Sequence, residues 1–150
     1  LFQNRLDCAK AFGATDIINA STQDAVAVIM RLTDGEGAHV VFETAGSWRT
    51  AALTPNYLIK CGTIVIVSNI NAETPIRFMD LMYKEGEIKT IYRYRNNFKT
   101  AIAAISSGAI DVKGMISKVY PFEETDAAFQ SSLEDKMTIV KLVIKLFDKE

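Results

Sequence analysis

The sequence predicts an α/β fold built on a parallel β-sheet, and three observations within residues 35–68 predict it. Residues 38–42 form a short apolar run rich in β-branched and aromatic side chains, and residues 63–67 form a second, almost wholly aliphatic one. Runs of this kind belong to strands that helices cover on both faces. Between them Trp48, Ala51, Ala52, Pro55, Leu58 and Ile59 recur at the spacing of one helix face. Strand, helix and strand at this length make a βαβ unit with a right-handed connection. Ligands of such sheets sit beyond the carboxyl ends of the strands. Function is therefore sought at Glu43, Thr44, Ala45 and Gly46, and at Val67, Ser68, Asn69 and Ile70.

The elements follow in chain order. Residues 4–12 predict a helix with Leu6, Ala9 and Phe12 on one side and Gly13 as its stop. Residues 15–19 predict a short strand. Ser21 and Thr22 predict the N-cap of a second helix, with Asp24 in its first turn. Ala25, Val28, Ile29 and Leu32 line that helix, and Asp34-Gly35 stops it. In the central unit Ala45-Gly46-Ser47 is the turn, Pro55 kinks or divides the helix, and Cys61-Gly62 ends it. Residues 71–75 read as a loop and 78–83 as a short helix closed at Gly86. A further strand begins at Glu87 and ends with Tyr94. Asn96 or Asn97 caps a helix carrying Phe98, Ala101, Ile102 and Ile105, ended by Gly108. Residues 115–120 read as extended, Pro121-Phe122 as a turn and 124–133 as helical. In residues 138–146 Val140, Leu142, Ile144 and Leu146 face one way and Lys141 and Lys145 the other, the pattern of a half-buried strand.

A hydrophobic content of 49% in 150 residues suffices for a core, and a net charge of −1 gives no bulk attraction to nucleic acid or an anionic membrane. No apolar stretch reaches the roughly 18–20 residues that cross a bilayer. No signal-peptide pattern is present either. Cys8 and Cys61 form no metal-like pair, and a reducing cytoplasmic setting is expected. Opening on Leu-Phe-Gln-Asn without an initiator Met, the chain reads as part of something longer.

Arg5-Leu6 with Ala9-Lys10, Gly13-Ala14 and Leu32-Thr33-Asp34-Gly35 is followed by Gly62 before an apolar run. Tyr92-Arg93-Tyr94-Arg95-Asn96 and Ser107-Gly108-Ala109-Ile110 complete the series. In these residues the chain resembles the coenzyme-binding half of medium-chain, zinc-type alcohol dehydrogenases, and within them the sorbitol (polyol) dehydrogenases. The resemblance implies a partial Rossmann-type doubly wound parallel sheet, its first strands missing, in residues 1–110. A C-terminal α+β segment, 111–150, then returns to a catalytic domain. It implies hydride transfer from a secondary alcohol to NAD, with NADP the alternative, and zinc held in an N-terminal domain outside this sequence.

The same resemblance implies cofactor contacts. Arg5 packs by the adenosine end, and the backbone of Thr44, Ala45 and Gly46 follows one strand. Val67, Ser68 and Asn69 follow the next, and Ile91, Tyr92 and Arg93 lie by the nicotinamide. Arg93 and Tyr94 face the substrate. Ser68 and Thr90 stand where relatives commonly have Gly. No catalytic residue and no metal ligand falls in the chain, since a lone His39 and two distant cysteines do not build a zinc site. No G-x-G-x-x-G occurs either; Gly35-Glu36-Gly37 precedes a strand rather than opening a helix. That turn and the acidic residue for the ribose are expected upstream of Leu1. Implied partners are a small alcohol or polyol, no nucleic acid, no membrane, and a second subunit joined through the strand from Glu87 to Tyr94. The edge left bare at residues 38–42 is expected to be filled by another copy or by residues 15–19.

Taken without the resemblance, the same residues read more plainly. Arg5 is a solvated helix charge, and Tyr92-Arg93-Tyr94-Arg95 an alternating edge strand. Glu43 is a structural or solvated carboxylate rather than a base, and His39 a boundary residue. Cys8 and Cys61 are small buried hydrophobes. Two other functions stay open: a zinc-free quinone or enone reductase of the same superfamily, and a non-catalytic Rossmann-like interaction module. The Tyr92–Asn96 stretch argues against the first, and a glycine-rich loop upstream would remove the second.

Overall fold

The computed structural model describes residues 2–147. They divide into two compact units, Gln23–Arg95 and a second made of the residues before Gln23 with those after Arg95.

Helix α1 (Gln3–Ala11) belongs to the second unit, and the first unit begins with α2 (Ala25–Leu32). Asp24, rather than Ser21 or Thr22, is its N-cap: the carboxylate accepts from the backbone N–H of Val26 (2.9 Å) and Ala27 (3.2 Å). Strand β1 (Ala38–Glu43), helix α3 (Trp48–Tyr57) and strand β2 (Leu58–Ile66) form the expected βαβ unit. Helix α4 (Phe78–Met82) leads to β3 (Glu87–Thr90). The three strands are parallel in the order β1-β2-β3. Val41, Ile64 and Ile88 lie in register, as do Glu43, Ile66 and Thr90. Leu58, Ile64 and Leu81 form the buried core, flanked by Val41, Ile66 and Ile76. On the opposite face of β1, Val40 and Phe42 are 48% and 63% exposed.

Pro55 does not divide α3; the helix is continuous through it. Proline has no N–H for the carbonyl of Ala51, four residues back. The buried Thr54 hydroxyl donates to that carbonyl instead (2.7 Å). Lys84 Nζ then donates to the carbonyls of Pro55 (2.8 Å) and Leu58 (2.6 Å), a cation on the last turn of the helix. Burial pushes this ammonium below its ordinary value, and Asp80 opposes the shift.

Two boundaries differ from the sequence reading. Helix α3 stops at Tyr57, and β2 starts at Leu58 rather than at residue 63. The register with β1 jumps from Ala38↔Leu58 to Val40↔Thr63, so β2 bulges around Cys61, which holds φ 58°. Cys61 is exposed there, not buried. Strand β3 ends at Thr90 instead of Tyr94, because Arg93 (φ 56°) and Asn96 (φ 57°) leave the extended region.

In the second unit α1 stops at Phe12, and α5 (Phe98–Ser106) follows Asn97. Strand β4 (Ile116–Pro121), helix α6 (Thr125–Glu134) and strand β5 (Lys141–Lys145) make a second, two-stranded parallel βαβ unit. Tyr120 is buried between them, its hydroxyl 2.9 Å from Ser131 Oγ. Residues 15–19 are not a strand: they have no ladder partner, and the Lys10 ammonium donates to the Thr15 carbonyl. Among the described residues they do not complete β1, which pairs with β2.

Candidate functional site

The carboxyl ends of β1 and β2 are joined backbone to backbone. The N–H groups of Val67 (3.0 Å) and Ser68 (3.3 Å) donate to the Glu43 carbonyl, and Ile91 N–H donates to the Ile66 carbonyl (3.0 Å). The turn after β1 needs Gly46, at φ 70°. A Cβ there would stand 3.1 Å from the Asn69 carbonyl oxygen, so the two loops pass in close contact.

Beneath this contact lies the Glu43 side chain, only 3% exposed. Its Oε1 accepts from the Ala45 N–H (3.1 Å) and the Thr50 hydroxyl (2.7 Å). Its Oε2 accepts from the Gly46 N–H (3.3 Å) and from the Ser68 hydroxyl. Burial pushes this carboxyl up, but the bonds from Ser68, Thr50, Gly46 and Ala45 together outweigh it and hold the group below its ordinary value of 4.5.

A group whose folded value is depressed adds stability above its ordinary value and loses it as pH falls through the folded one. The Gln23–Arg95 unit is therefore expected to be at full strength above pH 4.5 and to weaken below it. Denaturant titrations followed by the fluorescence of Trp48, the one tryptophan, check this. Glu43→Gln should flatten the acid limb; an unchanged limb would assign it to other carboxylates.

An open groove of about 380 Å³ lies beyond β2 and β3, lined by Ile66, Ser68, Asn69, Ile70, Asn71, Thr90, Ile91 and Tyr92. The structure thus brings Ser68, Asn69, Ile70, Ile91 and Tyr92, five of the expected site residues, to one groove. Thr44, Ala45, Gly46 and Val67 stand in the adjoining loops. Arg93 and Tyr94 continue from the β3 end, the Arg93 guanidinium 5.2 Å above the Tyr92 ring. Arg5 belongs to the other unit, where it borders a groove of about 300 Å³ with Phe129, Ser132 and Lys141. Glu43 as the fastener of two loops, and Thr50 as its partner, were not legible beforehand. The only sequence signal was an acidic residue directly before a Thr-Ala-Gly turn.

The profile of the family described as zinc-binding dehydrogenase matches residues 1–107. The chain belongs to the zinc-binding dehydrogenases. It is 37% identical to YdjJ of Escherichia coli (strain K12), a zinc-type alcohol dehydrogenase-like protein, over 99% of this chain and 42% of that one. It is 31% identical to sorbitol dehydrogenase of Bacillus subtilis (strain 168), over 93% of this chain and 40% of that one. A crystal structure of an E. coli oxidoreductase/dehydrogenase of unknown specificity superposes with a TM-score of 0.92 at 37% identity, covering 99% of this chain and 42% of that one. The chain therefore spans about two fifths of the curated relatives it matches, and it corresponds to the coenzyme-binding half of zinc-type alcohol and polyol dehydrogenases. Among the described residues no group of three His, Cys, Asp or Glu side chains is placed to hold a metal ion. No described helix is long and apolar enough to cross a membrane.

Proposed function

We propose that, within the intact protein, this chain builds the nicotinamide end of the coenzyme site of an NAD-dependent dehydrogenase acting on a secondary alcohol or polyol. The observation that carries the reading is the groove at the carboxyl ends of β2 and β3, with the Thr44–Gly46 and Val67–Asn69 loops fastened beside it. Gly46 fits that role, because its missing Cβ is what lets the backbones approach. Bound there, the nicotinamide would supply a hydride acceptor. Backbone groups of residues 44–46, 67–69 and 91–92 would orient it, and Arg93 and Tyr94 would meet the polar groups of the alcohol. Arg5 is assigned to the adenosine end. Zinc, like the glycine-rich phosphate turn, is assigned to residues outside this chain.

Residues 111–150, of which 148–150 lie outside the described residues, are assigned to the return segment. Subunit pairing through β3, whose outer edge meets no strand among the described residues, belongs to the same reading. So does a cytoplasmic setting, in keeping with two free thiols.

Calorimetry with NAD tests the proposal. The intact protein should bind in the micromolar range and reduce NAD with a polyol. Residues 1–150 alone lack the glycine turn that holds the pyrophosphate, so binding weaker than about 1 mM is expected for them. Micromolar binding to residues 1–150, or none to the intact protein, would overturn the assignment.

A further inference from the structure

We infer that Glu43 is a positioning residue for the coenzyme: its carboxylate sets the spacing of the two backbone loops against which the nicotinamide end is read. The inference rests on the coenzyme reading above. Glu43 itself lies below the loops and turns both carboxylate oxygens toward them. One oxygen ties the loop after β1 to α3 through Ala45 N–H and Thr50, and the other ties that loop to the one after β2 through Gly46 N–H and Ser68. Four donors converge on a buried acceptor. Such an arrangement is satisfied only while both loops hold their places, because any donor that leaves exposes a desolvated charge. At Gly46 and Asn69 the loops already touch at the limit of a Cβ contact. Movement of one loop therefore moves the other.

The neutral isostere separates this role from ordinary core packing. In Glu43→Gln the amide nitrogen must face one pair of donors, so one loop loses its acceptor while the volume is unchanged. In the intact enzyme, Kd for NAD is expected to rise about ten-fold or more, the scale of one lost charge-assisted hydrogen bond. The KM for alcohol at saturating NAD should stay within about two-fold, since substrate is met elsewhere. Ser68→Ala, a milder change, should raise Kd about three-fold or more and add less than its own effect to Glu43→Gln, because both act on one network. Thr50→Val should weaken NAD, and Thr50→Ser, which keeps the hydroxyl, should restore it.

A role in packing alone would lower the melting temperature and leave Kd unchanged well below the transition. That result, in Glu43→Gln or in Ser68→Ala should the first fail to fold, overturns the inference while NAD binding by the unaltered enzyme sustains the coenzyme reading. Failure of the unaltered enzyme to bind NAD overturns both.

Discussion

Arg93→Ala in the intact enzyme is expected to lower kcat/KM for a polyol about 100-fold while changing the KM for NAD by less than about three-fold. The guanidinium follows the carboxyl end of β3, on the same loop as Tyr92, which lines the groove. Its backbone sits at φ 56°, a conformation that costs a non-glycine residue on the order of 1 kcal/mol or more. Strain of this kind persists where the surroundings impose it, and here it turns the side chain away from the path of an extended strand. A planar fork of donors can hold a pair of hydroxyl oxygens, which a single ammonium matches poorly. Arg93→Lys should therefore recover only part of the loss. Steady-state kinetics with both substrates varied give the answer, and a rise confined to the KM for NAD would move Arg93 from the substrate to the coenzyme.

Gly37→Ala is expected to destabilise the Gln23–Arg95 unit by about 3–4 kcal/mol, summing overpacking with the cost of a left-handed backbone. Gly37 is buried at φ 99°, just before β1. A Cβ there would lie 2.7 Å from the Leu58 carbonyl carbon, 2.8 Å from its oxygen and 2.8 Å from the Tyr57 oxygen. All three are backbone atoms at the junction of α3 and β2, so no side chain can swing aside. Gly35→Ala is the control: φ is 85°, yet nothing lies within 4 Å of its Cβ, and about 1 kcal/mol is expected. Denaturant midpoints read from Trp48 compare the two. Equal losses would show that backbone conformation, not contact with Leu58, sets the cost at Gly37.

The parts of the fold that were legible in sequence are those decided by local pattern. The run at residues 38–42 and the helix stripe from Trp48 gave the βαβ unit, and alternation about Lys141 and Lys145 gave β5. What was not legible depends on distant partners. Leu58 and Ile59 continue the helical spacing, yet Lys84 closes the helix before them and β2 takes them over. Tyr92-Arg93-Tyr94-Arg95 alternates like a strand, but positive φ at Arg93 and Asn96 turns the chain out of the sheet. Residues 15–19 have strand-like composition and join no ladder among the described residues. At the site, the loops after β1 and β2 followed from topology alone. The convergence of Thr50 and Ser68 on Glu43 did not, because the partners stand seven and 25 positions away from it.

Val40 and Phe42, left in water on one face of β1, have a consequence for colloidal behaviour. With a net charge of −1, copies of the chain feel almost no long-range repulsion, so encounters are not turned back before short-range attraction acts. An apolar strand face then makes each collision adhesive. Covering Val40 and Phe42 would remove one adhesive face among others that the chain presents, such as those at Phe78, Phe98 and Leu133. Added salt, which acts by screening, has little repulsion here to remove.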